Sequence, residues 1–198
     1  MPPRPRGYND PRENHLETKP EPICARCHAR GQGCCLAPDG PAHMFGLTAG
    51  EIAAIAAASG LPPQEFVAAD RATPDFLEFL AALNPVFPRT MPGGRRLRLR
   101  LTPANACVLL GPEGCRLPVA ARPLYCRIYP FSLNPHGRLM VLANPQCLAQ
   151  RDARSWREVL KRLDMDEAGV RELFARLEEL AADHQAHPPR LAPPPEPA

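Results

Sequence analysis

The sequence predicts a small α+β fold, mostly helical, with short strands and hairpins around a cysteine-lined site and a proline-rich disordered tail at each end. Three observations predict it. Apolar residues recur at helical spacing in five segments, several of them opened by capping residues. Strict apolar–polar alternation occurs at residues 96–101, and two turn signals stand between short apolar runs. Proline accounts for 27 of the 198 residues and aromatics for only 6%, which favours loops over a large sheet. The length suits one domain.

The elements follow in order. Residues 1–22 are polar and punctuated by proline, so a disordered tail is expected there. Residues 23–150 read as a cysteine-cluster domain, 151–187 as a C-terminal helical extension and 188–198 as a second disordered tail. Residues 24–35 read as a loop rich in cysteine and glycine. Thr48 with Glu51 forms a capping box for a helix carrying Ile52 and Ile55, and Gly60 ends it. Pro62 and Pro63 open a short helix carrying Phe66 and Val67. Thr73 and Pro74 open another, with Phe76, Leu77, Phe79, Leu80 and Leu83 on its apolar face, stopped at Asn84 and Pro85.

Residues 96–101 alternate arginine and leucine, predicting a strand with leucines inward and arginines in solvent. No aromatic residue interleaves these arginines, so they read as a solvated face and not as a nucleic-acid surface. Gly111–Gly114 reads as the turn of a hairpin between residues 107–110 and 115–117, and residues 134–137 as the turn between 131–133 and 139–142. Two further helices carry Trp156, Val159, Leu160 and Leu163, then Val170, Leu173, Phe174, Leu177 and Leu180.

The net charge of +3 is too small to argue for nucleic acid or a membrane surface. No segment reaches the roughly 20 apolar residues of a membrane helix, and the N-terminal positive charge has no apolar run behind it as a secretory signal would. A cytoplasmic chain is therefore expected. Thiols there stay reduced, so an even set of cysteines points to metal ligation and not to a disulfide framework.

That set is Cys24, Cys27, Cys34, Cys35, Cys107, Cys115, Cys126 and Cys147. Cys24 and Cys27 have the spacing that lets two thiolates reach one ion. Cys34 and Cys35 are adjacent, and neighbouring side chains diverge, so they suit different metal atoms or roles. Ligands drawn from distant segments would also staple the fold, because metal-binding free energy is folding free energy. Arg122 and Arg127 are candidates to offset the charge of several thiolates and donate to sulfur. His28 lies within the cluster as an alternative ligand, though a solvated loop histidine is the simpler reading. The spacings of radical enzymes, ferredoxins, phosphate loops and dinucleotide fingerprints do not occur.

The chain resembles the YkgJ-like cysteine-cluster family, a group of zinc- or iron-chelating domains, over about residues 24–147. The resemblance rests on Cys24 and Cys27 leading to Cys34 and Cys35, on Leu47, Thr48, Glu51 and Ile52 opening a helix, and on Cys107 and Cys115. It is strongest over Arg122, Pro123, Cys126, Arg127, Tyr129, Pro130 and Phe131, with Cys147 trailing. In the family the second cysteine usually lies closer to the adjacent pair; here residues 28–33 intervene. The resemblance implies a metal site and little about a reaction. The scattered spacing of Cys107, Cys115, Cys126 and Cys147 tilts the choice toward an iron–sulfur cluster, with a zinc or iron ion as the alternative. Two other classes stay open: a cluster-dependent redox or methyl-transfer enzyme, and a metal-stapled interaction module docking through its last helix.

Overall fold

The chain enters helix α1 (Ile23–Ala29) where the sequence reading expects a loop. This computed structural model describes residues 23–37, 39–144 and 146–189, so the expected tails lie outside the described residues except for Pro188 and Pro189. A helix forms at α1 because Ile23 packs against the main core and Cys27 is buried, which gives the segment an inward face. It ends where Gly31 takes φ 65°, a left-handed turn that glycine enters without penalty.

Helix α2 (Ala49–Ser59) carries the expected capping box: Thr48 accepts from the Glu51 amide, and the Glu51 carboxylate accepts from Thr48. Gly60 closes it in the left-handed conformation. Helix α3 (Pro63–Phe66) is one turn, and Val67, read from sequence as helical, instead opens strand β1 (Val67–Arg71). Helix α4 (Pro74–Leu83) is capped by Thr73 as expected. Its core side is Phe76, Leu80 and Leu83; Phe79 falls beside that stripe, 53% exposed, with its ring stacked on Phe76. A short helix α5 (Val86–Arg89), absent from the sequence reading, follows the proline stop.

Strand β2 (Arg95–Leu99) pairs antiparallel with β1, placing Asp70 opposite Arg96. Leu97 and Leu99 face the core as the alternation requires, but Arg96 does not face solvent: it is 3% exposed. Its guanidinium is held by Asp70 at 2.7 and 3.1 Å, and it donates to the carbonyls of Ala42 and Met44, so burial leaves its charge paired. The next hairpin shrinks to β3 (Leu110–Gly111) and β4 (Gly114–Cys115), because Cys107 spends its amide on the Cys35 carbonyl. Helix α6 (Leu124–Ile128) precedes the second hairpin, β5 (Phe131–Leu133) and β6 (Leu139–Val141), which pairs as expected. Helices α7 (Trp156–Arg162) and α8 (Glu167–Ala186) close the fold.

Two apolar clusters result. The larger joins α4, α5, α6, β5, α7 and α8 through Phe76, Leu80, Phe87, Ile128, Phe131 and Phe174. The smaller joins α2, α3, β1, β2 and the 107–117 segment through Ile55, Phe66, Val67, Leu97 and Leu109. Full burial of each such side chain stabilises by about 1.5–3 kcal/mol. Helices α2 and α8 meet at Gly50, where a Cβ would lie 2.7 Å from Leu180. The fold is therefore α+β, helices predominating over three two-stranded ladders. No described helix is long and apolar enough to cross a membrane.

Candidate metal centre

The cysteines are carried by α1, the turn at residues 34–35, the 107–115 segment, α6 and the turn at Cys147. Helical spacing sets Cys24 and Cys27 one turn apart on the same side of α1. The Leu148 amide donates to the Cys27 sulfur at 3.4 Å, which places the Cys147–Leu148 turn against α1. After α1 the chain folds back, with the amides of Arg30 and Gln32 both donating to the Cys27 carbonyl. It presents Cys34 and Cys35 on a turn, and the Cys35 carbonyl then accepts the Cys107 amide at 2.8 Å. Leu110 lies opposite Cys115 in the hairpin and donates its amide to the Cys107 carbonyl at 2.9 Å. Burial raises the Cys107 thiol first, with the backbone at Leu109 and Leu110 opposing that rise.

Cys126 sits on α6, whose start is anchored by Glu51: the Leu124 amide donates to its Oε1 at 2.7 Å. Glu51 thus caps α2 and fixes α6 with one buried side chain. Cys27, Cys107 and Cys147 are buried, Cys35 and Cys115 half-buried, and water reaches Cys24, Cys34 and Cys126. All eight are free thiols.

Burial raises five of the thiols, and neighbouring thiols add to the rise. Cys34 is pushed up to about 12 by burial first, then by Cys147, Cys24, Cys35 and Cys27. Cys35 also rises to about 12, through burial and then Cys107 and Cys115, with Arg122 opposing. Burial, Cys27 and Cys147 raise Cys24, against Arg122. Cys126 is raised well above the ordinary thiol range by burial and then by Cys35, Cys107, Cys115 and Glu51. Cys126 is exposed as a residue, yet burial is the first cause acting on its thiol. Among the described residues, no three His, Cys, Asp or Glu side chains close on a common point at ligating geometry.

Arg122, a candidate from the sequence, opposes the rise of Cys24 and Cys35, and its Nε donates to the Leu117 carbonyl at 3.1 Å. Arg127 lies in the last turn of α6, and Arg116, not singled out in the sequence, opposes the rise of Cys107. Beside the cluster, His28 Nδ1 and Gln32 Oε1 are buried with no hydrogen-bond partner among the described residues. Sequence reasoning also missed Tyr125, whose hydroxyl is raised by burial and feels Cys126 and Cys34. Glu51 was legible only as a cap, because nothing in its local spacing announces a partner at Leu124.

Four sulfur donors suit tetrahedral zinc or an iron–sulfur cluster, and backbone amides aimed at sulfur are the hydrogen bonds that such centres use to set charge and potential. The chain matches no family model, no curated protein and no solved structure.

Proposed function

We propose that this chain is a metal-binding protein whose cysteine thiolates hold an iron–sulfur cluster or, alternatively, a zinc or iron ion. The observations that carry this reading are eight free thiols drawn from separate segments and the Cys27 sulfur held by an amide 121 residues away in the chain. Buried neutral thiols that raise one another gain little as packing groups. A multivalent cation relieves that arrangement, because it takes the place of several protons at once. The similarity of residues 24–147 to YkgJ-like cluster proteins points the same way. A reducing compartment such as the cytoplasm would keep the thiols available.

Cys24, Cys27, Cys34, Cys35, Cys107, Cys115, Cys126 and Cys147 would supply the ligands, and Arg122 would offset their charge. An iron–sulfur centre would supply one-electron exchange; zinc would supply cross-linking of the fold. The amide of Leu148 orients the Cys27 sulfur in either case. The interaction-module alternative is disfavoured, since α8 spends Val170, Phe174, Leu177 and Ala181 on the core.

Protein purified without oxygen is expected to be brown, with broad visible absorption that bleaches under dithionite. A colourless chain with stoichiometric zinc would select the ion in place of the cluster. A chain that stays metal-free and keeps eight reactive thiols after treatment with iron and sulfide, and with zinc, would overturn the proposal.

A further inference from the structure

One side of the β1–β2 ladder carries more positive charge than its own carboxylate offsets. The register sets Ala68 opposite Arg98 and Asp70 opposite Arg96. The Arg100 amide donates to the Phe66 carbonyl at 2.8 Å, which extends the same pairing by one residue. Alternation then places Arg96, Arg98 and Arg100 on one side, with Ala68 and Asp70 between them. Asp70 serves two of these arginines at once, Arg96 Nε at 2.7 Å and Arg98 Nε at 2.6 Å. Three guanidiniums thus share this side with one carboxylate, an excess of two positive charges.

Beyond Asp70 the ladder opens into a cleft of about 310 Å³ bordered by Pro41, Ala68, Arg98, Arg100, Thr102 and Asn105. That volume lies at the lower end for small-molecule sites. Among the described residues no carboxylate and no cysteine lines it. Each polar side chain around it can donate: two guanidiniums, a hydroxyl and a carboxamide. Arg98 spends Nε on Asp70 and Nη1 on the Leu99 carbonyl, and Arg100 spends Nη1 on the Gln64 carbonyl. Arg98 Nη2 and the Nε and Nη2 of Arg100 have no acceptor among the described residues. Thr102 Oγ1 accepts the Ala106 amide at 3.2 Å, which leaves its hydroxyl proton to give.

We propose that this cleft binds a phosphate group, either free or carried on a small ester. The proposal is independent of the metal-binding reading. A phosphoryl group carries about −1.5 to −2 charge at neutral pH, which matches the excess on this side of the ladder. Its several acceptor oxygens suit the planar fork of a guanidinium. A carboxylate brings one charge and two oxygens, fewer than the cleft can satisfy. Asp70 and the Leu99 and Gln64 carbonyls hold the two arginines in place beforehand, so little side-chain freedom is lost on binding.

The test titrates the full-length reduced chain, in chloride buffer, with inorganic phosphate and separately with glycerol phosphate. Calorimetry and amide chemical shifts read the result. Saturable one-to-one binding is expected, with the largest shifts at Ala68, Arg98, Arg100, Thr102 and Asn105, and acetate should bind more weakly. The tighter of the two phosphates tells the free ion from the ester. Arg100→Gln should weaken binding about 10-fold to 100-fold, the loss expected for a hydrogen bond to a charged group. Ala68→Leu keeps every charge but fills the cleft, and should weaken binding comparably. The wild-type shift map decides the matter where a variant fails to fold. No saturable binding of either phosphate in the millimolar range would overturn the proposal. So would acetate binding as tightly, shifts centred elsewhere, or unchanged affinity in both folded variants.

Discussion

Glu51 links the most structure with the fewest atoms. Its carboxylate accepts the Thr48 amide and hydroxyl, each at 2.8 Å, and the Leu124 amide at 2.7 Å, all in the interior. A buried donor left unpaired costs about 1–3 kcal/mol. Glu51→Ala is therefore expected to lower the unfolding free energy by more than the ~1 kcal/mol typical of a lost cap. Urea denaturation of the metal-free chain measures this, and a loss below that value would mean that Leu124 finds another acceptor. The thiols give a second expectation at this scale. Cys34 and Cys35 are held protonated up to about 12 in the fold against 9.0 as the ordinary value. Their contribution is complete below pH 9 and is lost as pH rises toward 12, since the unfolded chain releases these protons first. The metal-free melting temperature should fall over that window, less steeply once both residues are alanine; equal slopes would contradict the assignment. The thiol positions were legible in the sequence, but contacts between their segments, such as the Cys107 amide on the Cys35 carbonyl, were not, because no local spacing encodes them.

Elements differ in how openly the sequence declares them. Helices α2 and α4 begin at Thr48 and Thr73, and the β5–β6 hairpin pairs about its turn, because capping and turn chemistry are local. Helix α1 was hidden. Only seven residues long, its inward face consists of Ile23 and Cys27, and one period is too short to distinguish a helix from a loop. Strand β1 was hidden too, since Val67–Arg71 acquires strand character only by pairing with β2. The alternation at 96–101 identified the strand but put Arg96 in solvent, and the residue that overrides the pattern, Asp70, lies on that unforeseen partner. Burial pushes the Asp70 carboxyl up, yet hydrogen bonds from Arg96 and Arg98 outweigh it and hold it below the ordinary range. Breaking a fully buried pair costs about 3–5 kcal/mol. Asp70 is 28% exposed, so Asp70→Asn is expected to cost about 2 kcal/mol. Chemical denaturation reads it, and a neutral effect would show that the carbonyls of Ala42 and Met44 suffice to hold Arg96.

At the scale of the molecule, the two apolar clusters account for most of the packing, with Cys147 in the larger and Cys107 in the smaller. Ligation there would fasten segments that otherwise meet through few side chains. Removing metal is thus expected to lower the melting temperature and to loosen α1 before the α4–α8 core, as amide exchange would register. The most direct test of thiolate ligation is X-ray absorption at the metal edge of the chain purified without oxygen. The account predicts a first shell made of sulfur at about 2.3 Å, joined by short iron–iron scattering where a cluster is bound. A first shell of oxygen and nitrogen alone, or no metal above background, would contradict it.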